Sequence, residues 1–275
     1  MTSPFPTADG PADTTVPTRL SANLGLLWTD LALPDAIEAA AAAGFDAVEC
    51  HFPYAVDPAD VRAALAATGL PLLALNTRPG DPAAGESGLA ALPGREADAR
   101  ALIDQAVAYA AAVGCANVHV MAGTATGPEA RAAYVANLAH AARSGADAGV
   151  GILIEPINQR DIPGYHLSHV ETAAVVVAAV ADTAAVDNVR IMFDCYHVQI
   201  TQGDLLRRFT DHVHLVGHVQ FAAVPSRAEP DGGEVDYAWL LPRFTLAGYG
   251  GAAGAEYRPA TTTAAGLGWL AAFGR

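Results

Sequence analysis

The sequence predicts a (β/α)8 TIM barrel, in which eight parallel strands alternate with eight helices. A pattern of apolar strands followed by Ala-rich helices repeats from Leu20 to the C-terminus. The length of 275 residues suits one barrel, which commonly needs roughly 250 residues. Polar residues end four late strands, where barrel enzymes hold their chemistry. A doubly wound open sheet is the alternative, but no Gly-x-Gly-x-x-Gly motif follows the first strand.

The first half of the chain contains four strand-helix units. Glycines that suit helix C-termini follow the predicted helices. The strands are predicted at 20–24, 47–51, 71–76 and 117–121, and the helices at 33–43, 58–68, 96–113 and 128–147.

The second half repeats the alternation four more times. Its strands have a polar residue only near their ends, which is typical of strands buried on both faces. They are predicted at 151–155, 189–194, 213–220 and 251–256, and the helices at 168–181, 204–209, 237–247 and 262–272.

Four oxygen-bearing side chains end these late strands: Glu155, Asp194, Gln220 and Glu256. Taken singly, an acidic residue after a strand often caps the next helix. Taken together, buried carboxylates cost several kcal/mol each unless a cation offsets them. The four therefore predict a site for a hard divalent cation, Mg²⁺ or Mn²⁺.

Residues beside these strand ends are candidates for substrate binding. His197 follows Asp194 by three residues, which favours a substrate or outer-shell role. Arg227 and Glu229 lie in the loop after the seventh strand, and Arg227 could bind a substrate carboxylate or hydroxyl group.

Weaker candidates lie elsewhere in the predicted strands. Asn76 ends the third predicted strand and Glu49 lies near the tip of the second, and Asn76 is taken as a substrate contact. His214 and His218 share the side-chain parity of Gln220, and for them a structural role is favoured.

Two loops are longer than the fold needs, at residues 77–95 and 221–235. Long Gly/Pro-rich loops in compact domains are usually functional, so we expect both on the catalytic face, the first as a lid or binding loop.

Composition limits the partners and the compartment. The net charge of -14, with 15 Lys and Arg residues in no run, argues against nucleic acid, and no apolar run reaches the ~18 residues of a membrane span. Cys50, Cys115 and Cys195 are scattered, which suits free thiols in the cytoplasm. Residues 1–18 lack a signal-peptide core and are predicted to be a disordered leader before a barrel over 19–275. A homo-oligomer is compatible with the sequence.

The motifs for nucleophilic, zinc and phosphate chemistry do not occur in the chain. There is no Gly-x-Ser-x-Gly, Cys-x-x-Cys or His-Glu-x-x-His pattern and no phosphate-binding glycine loop. Two carboxylates at one metal then indicate proton transfer beside a polarised carbonyl, with an enediolate stabilised by the cation.

Several motifs in fixed order resemble those of hydroxypyruvate isomerases, a branch of the xylose-isomerase-like barrel superfamily. They run from about Leu20 to the C-terminus and include LNT (75–77), PGD (79–81), AGE (84–86), LPGRE (92–96), EPIN (155–158), DIPGYHL (161–167), the Asp194/His197 pair, GHVQ (217–220), EP (229–230) and EYRP (256–259).

This resemblance implies an aldose–ketose type isomerase that interconverts hydroxypyruvate and tartronate semialdehyde, a small anionic hydroxy-oxo acid pair. It implies that Glu155 and Glu256 are the acid/base pair and that Asp194 and Gln220 complete the metal shell. Family members often lack a strict added-metal requirement. Arg258, where relatives often have Lys, is a departure.

A sister branch that acts on 2-oxo-tetronates shares the lid motif, so a four-carbon substrate is the alternative. Sugar epimerases and inosose-type dehydratases, which share the same barrel, are further alternatives for the activity. An endonuclease of this superfamily would need a His-rich three-zinc site and a basic face, and a binding protein would have no use for a second carboxylate.

Overall fold

The computed structural model describes residues 18–275, and the predicted leader falls, but for residue 18, outside the described residues. Eight parallel strands are paired in the order β2-β1-β8-β7-β6-β5-β4-β3. The strands are β1 (Leu20–Asn23), β2 (Ala47–Glu49), β3 (Ala74–Asn76), β4 (Asn117–His119), β5 (Gly151–Ile154), β6 (Val189–Asp194), β7 (Val216–Phe221) and β8 (Ala253–Ala255).

The ends of this sheet approach each other through a bridge between Val48 and Leu72. The amide of Leu73 donates to Val48 O at 2.8 Å, and the amide of Cys50 donates to Ala74 O at 3.1 Å. The predicted TIM barrel is thus confirmed as a nearly closed ring.

Helices separate the strands and cover the outside of the ring. They are α1 (Leu33–Ala42), α2 (Pro58–Thr68), α3 (Glu96–Val113), α4 (Gly127–Ala148), α5 (Val170–Ala184), α6 (Cys195–Thr201), α7 (Leu205–His212) and α8 (Tyr237–Leu246). The predicted last helix over 262–272 is wrong in type, because Ala264–Phe273 forms a 3₁₀ helix. Gly266 and Gly268 lie within it, and glycine disfavours the α-helix.

The start of α6 was not predicted from the sequence. Asp194 caps this helix, accepting a hydrogen bond at 2.8 Å from the amide of Tyr196. The alternative role of an acidic residue after a strand, capping the next helix, therefore applies to one oxygen of Asp194. The other oxygen stays free for the site.

Aromatic packing outside β6 and β7 sets which side chains face the barrel interior. Phe193 contacts Phe209 and Phe244 edge-on, with ring centroids 5.4 and 5.9 Å away. Because side chains alternate along a strand, the next residue, Asp194, points inward. Phe221 packs outward on Tyr237 in the same way, so Gln220 points inward.

The predicted lid over 77–95 is held against the β4–α4 loop near its middle. Gly88 forms an antiparallel bridge with Ala122, and a Cβ atom on Gly88 would lie 2.4 Å from Met121 O. Arg95 and Glu86 form an ion pair at 2.6 Å within the segment. At Gly88 the backbone therefore approaches the β4–α4 loop so closely that only glycine fits.

Among the described residues, none of the helices has the length and apolarity to cross a bilayer.

Candidate active site

Four neighbouring strands, β5 to β8, bring the predicted polar residues to one end of the barrel. Glu155 and Glu256 are 6% exposed, Gln220 is 3% and Asp194 is 1%. Asp194 and Gln220 are direct register partners across β6 and β7. Buried polar side chains at the carboxyl ends of barrel strands are the usual location of an active site.

Glu155 lies between two histidines at the end of β5. Its Oε1 is 3.6 Å from His197 Nε2, and its Oε2 is 3.7 Å from His119 Nδ1. Burial raises the pKa of Glu155 well above its usual value, and the negative charges of Glu256 and Asp194 raise it further. The environment of Glu155 therefore favours its protonated form.

Glu256, after β8, has the opposite environment. Its Oε1 accepts hydrogen bonds from Asn23 Nδ2 at 3.1 Å and from His51 Nε2 at 2.8 Å, and its Oε2 accepts one from Arg227 Nη2 at 2.6 Å. Burial acts to raise its pKa, but the Arg227 guanidinium and His51 outweigh burial and lower the pKa below the usual range. Glu256 is held ionised.

Asp194 lies between these two glutamates. Its Oδ2 is 3.5 Å from His197 Nε2 and 3.9 Å from Arg227 Nη2. Burial, followed by the charge of Glu256, raises the pKa of Asp194 to about 7, against the lowering effect of Arg227. Glu155 and Asp194 can each offer an oxygen within 4.8 Å of the other, and like charges this close oppose ionisation of both groups unless a cation lies between them.

His197 is oriented by Asn158, which follows the Glu155 strand end. The Asn158 amide Nδ2 lies 2.6 Å from His197 Nδ1, and the Asn158 backbone amide donates to the same nitrogen at 3.4 Å. Burial, and then the charge of Arg227, lower the pKa of His197 to about 3. The imidazole is therefore neutral and directs Nε2 at Glu155 and Asp194.

Arg227 reaches the site from a strained backbone. Its φ is +55°, in the left-handed region that non-glycine residues rarely adopt. Backbone hydrogen bonds of 2.7 Å to Ala223 and from Arg258 hold this conformation, and the guanidinium lies 5.0 Å over the Tyr196 ring. Strain of this kind persists where surrounding contacts over-determine it, and it clusters at functional sites.

A cation site requires oxygen donors that are not already used. Among the described residues, Glu155 Oε1, Asp194 Oδ2 and Gln220 Oε1 are buried and have no hydrogen-bond partner in the protein. Glu155, Asp194 and His197 can each offer one ligand atom, all within 4.8 Å of one another. Such hard oxygen donors fit Mg²⁺ or Mn²⁺. Glu256 differs, because both of its oxygens already accept hydrogen bonds.

The remaining predicted contacts, Glu229 and Asn76, form hydrogen bonds with other partners. Glu229 Oε1 accepts a hydrogen bond at 2.9 Å from the amide of Ala260, so this side chain holds the C-terminal segment. The Asn76 backbone bonds to His51 and Tyr54, and the side chain is half-buried. The structure does not bring Glu229 or Asn76 against the carboxylates in any described hydrogen bond.

Sequence reasoning missed several residues that line the site: Asn23, His51, His119 and Asn158. Asn23 and His119 end β1 and β4, so the strand-end rule that identified Glu155 could have found them. His51 opens onto a cavity of about 410 Å³, which Leu24, Trp28 and Phe52 also line.

The family model described as a xylose isomerase-like TIM barrel matches residues 37–273. A 2-oxo-tetronate isomerase from Cupriavidus necator is 46% identical over 92% of this chain and 97% of its own length. The hydroxypyruvate isomerase of Escherichia coli is 37% identical over 92% and 98%. A Brucella melitensis structure titled AP endonuclease, family 2, superposes with a TM-score of 0.86 at 37% identity, over 92% of this chain and 98% of that one.

The chain therefore belongs to the xylose isomerase-like TIM barrel family. Within it, the chain is an isomerase related to the hydroxypyruvate isomerases and 2-oxo-tetronate isomerases. The resemblance noted from the motifs is thus confirmed at the level of family and enzyme class.

Proposed function

We propose that this enzyme moves a proton between neighbouring carbons of a small 2-oxo acid, with Glu256 as base and Glu155 as acid. The observation that carries the proposal is the contrast between the contacts of these two buried glutamates. Glu256 accepts hydrogen bonds from Arg227 and His51, which lower its pKa, whereas Glu155 Oε1 has no hydrogen-bond partner among the described residues and burial raises its pKa. Carboxyl groups whose environments separate their pKa values divide into acid and base in this way.

With hydroxypyruvate as substrate, the reaction consists of proton removal at C3 followed by protonation at C2. The ionised Glu256 removes a proton from C3, which breaks a C–H bond and leaves an enediolate over C2 and C3. Glu155 then protonates C2, while the hydroxyl proton passes from the C3 oxygen to the C2 oxygen. Exchange with solvent then removes the proton that Glu256 gained and replaces the one that Glu155 gave up. The product is 2-hydroxy-3-oxopropanoate, also called tartronate semialdehyde, and positioned acid and base groups of this kind typically contribute about 10²- to 10⁴-fold each.

Arg227 is the proposed contact for the carboxylate of the substrate. Its side chain is half-buried among acidic residues, and its Nε atom is buried and has no hydrogen-bond partner in the described part of the chain. Burial opposes the charged form, but Glu256 and Asp194 outweigh burial and raise the pKa of Arg227, which therefore stays charged. His197 supplies a neutral N–H group toward the same space.

A divalent cation would be held by Glu155, Asp194, Gln220 and Glu256. When bound, it would act as a Lewis acid that polarises the substrate carbonyl. Binding would require Glu256 to share an oxygen that now accepts from Arg227 or His51.

Hydroxypyruvate is the substrate that we propose first, on the motifs around Glu155 and Asp161. A four-carbon 2-oxo-tetronate is the second candidate, because the 2-oxo-tetronate isomerase of Cupriavidus necator is 46% identical to this chain. The cavity beside His51 would admit an additional carbon with its hydroxyl group.

The deciding experiment offers both substrates to the purified protein, with and without chelator. Tartronate semialdehyde is followed through a coupled reductase, and the four-carbon product is followed by chromatography. We expect turnover of one substrate by wild type and loss of turnover in Glu256→Gln. Absence of turnover with either substrate, with Mg²⁺ and Mn²⁺ supplied, would contradict the proposed function.

A further inference from the structure

A second buried polar cluster lies inside the barrel next to the candidate cation site. Glu49 on β2 extends to β7, where its Oε2 lies 2.9 Å from both His218 Nε2 and Gln220 Nε2. All three side chains are buried, each between 1% and 3% exposed. The acid/base chemistry proposed above does not use Glu49 or His218.

The contact with Glu49 determines how the Gln220 amide is oriented. The carboxylate oxygen accepts the N–H group of Gln220, so the nitrogen end of this amide faces Glu49. The oxygen end, Oε1, then lies on the other side, buried and without a hydrogen-bond partner among the described residues. A rotated amide would place two oxygens against each other at Glu49.

Strand β8 leaves the space that Glu49 occupies. A Cβ atom on Gly254 would lie 1.9 Å from Glu49 Oε1 and 3.1 Å from His218 Nε2. The φ of Gly254 is not in the left-handed region, so space rather than backbone conformation requires glycine here. Residues on three strands, β2, β7 and β8, therefore fix the position of the Glu49 carboxylate.

We propose that Glu49, held by His218, is a positioning residue that keeps Gln220 Oε1 directed at the divalent cation. This inference rests on the proposed cation site. Without Glu49, the amide of Gln220 could turn and present its NH₂ group, which is a donor and cannot bind a cation. Groups that orient metal ligands in this way typically affect metal affinity or activity about 10- to 100-fold.

Three substitutions at one position separate geometry from charge. Glu49→Gln removes the charge but keeps an oxygen at the right reach, with its own NH₂ group turned away from Gln220. Glu49→Asp keeps the charge but is one methylene shorter, and Glu49→Leu removes both. We expect Glu49→Asp and Glu49→Leu to weaken Mn²⁺ binding about 10- to 100-fold, and Glu49→Gln to stay within about threefold of wild type.

Mn²⁺ affinity is measured by electron paramagnetic resonance of the free ion, alongside circular dichroism melts of each protein without cation. If Glu49→Leu does not fold, the comparison of Glu49→Asp with Glu49→Gln decides. The opposite ranking, with Glu49→Asp like wild type and Glu49→Gln weakened, would mean that Glu49 acts through its charge and would overturn the inference. Equal Mn²⁺ affinity in wild type and all variants would also overturn the inference about Glu49. If wild type itself bound no Mn²⁺, the proposed cation site would be wrong.

Discussion

Asn158 fixes the proton of His197 on Nε2. The Asn158 side-chain oxygen accepts from the amide of Asp161 at 2.8 Å, so the nitrogen of this side chain is the end that faces His197 Nδ1. The backbone amide of Asn158 also donates to Nδ1. A nitrogen that receives donors carries no hydrogen, and in the neutral imidazole the proton must then be on Nε2.

This tautomer favours His197 as a donor to a substrate oxygen over a role as a cation ligand. A ligand nitrogen must be free of its proton, yet Nε2 is the atom directed at Glu155 and Asp194. The substrate or outer-shell role predicted from the sequence remains the proposal for His197, although the residue belongs to the cluster that could hold a metal.

Asn158→Asp should reverse the tautomer, because a carboxylate would accept the proton of Nδ1. We expect kcat to fall about 10- to 100-fold, as for other residues that orient a catalytic histidine. Nitrogen-15 NMR shifts of the imidazole report directly which nitrogen is protonated. A variant in which the proton has moved while kcat is unchanged would exclude His197 from proton or hydrogen-bond donation to the substrate.

Glu155→Gln and Glu256→Gln should each lower kcat by at least about 10²-fold, because each removes one of the two groups that transfer a proton. Both variants should stay folded, since glutamine preserves the shape of glutamate. Steady-state kinetics with the better substrate measures the effect. The matched control is Glu234→Gln, an exposed glutamate in the β7–α8 loop, whose kcat should equal that of wild type.

Arg227→Ala should mainly raise KM, because a substrate carboxylate would lose its cationic partner. It should also move the acid limb of the rate profile to higher pH, since Arg227 is the strongest influence that lowers the pKa of Glu256. The measurement is kcat and KM across pH, with Arg243→Ala on α8 as control. An unchanged KM together with an unchanged acid limb would return Arg227 to a structural role.

Cation binding should tighten as pH rises through about 7. Burial and the charge of Glu256 bring the pKa of Asp194 to about 7, so below this pH Asp194 holds a proton that a cation must displace. Titration calorimetry of Mn²⁺ in two buffers of different ionisation enthalpy counts the released protons. We expect more protons released at about pH 6 than at about pH 8, and an affinity that is independent of pH would contradict this assignment.

The barrel and the four strand-end residues were predictable because both follow from local sequence patterns. Apolar runs that stop at a polar residue place Glu155 and Asp194 at the ends of β5 and β6, which is where the structure has them. The contacts of Glu256 were not predictable, since Asn23 and His51 are more than 200 residues away along the chain. Which partner a carboxylate receives determines the direction of its pKa shift, and this depends on packing between distant strands.

The type of the C-terminal helix was also not predictable from the sequence. The apolar stretch after Thr263 predicted an α-helix, but the structure forms a 3₁₀ helix with Trp269 buried against Tyr257. The apolar spacing alone does not distinguish the two helix types in a short segment.

Phe244→Ala should destabilise the fold. Phe244 on α8 stacks on Phe209 of α7 at 3.7 Å, and both rings are at most 1% exposed while they pack against Phe193, the residue before Asp194. Truncating such a ring removes apolar burial and leaves a cavity, which typically costs about 3–5 kcal/mol. The control is Leu246→Ala on the same helix, where the side chain is 58% exposed and the expected change is within about 0.5 kcal/mol. Urea unfolding of the cation-free proteins measures both, and equal midpoints for the two variants would show that this aromatic cluster does not support β6.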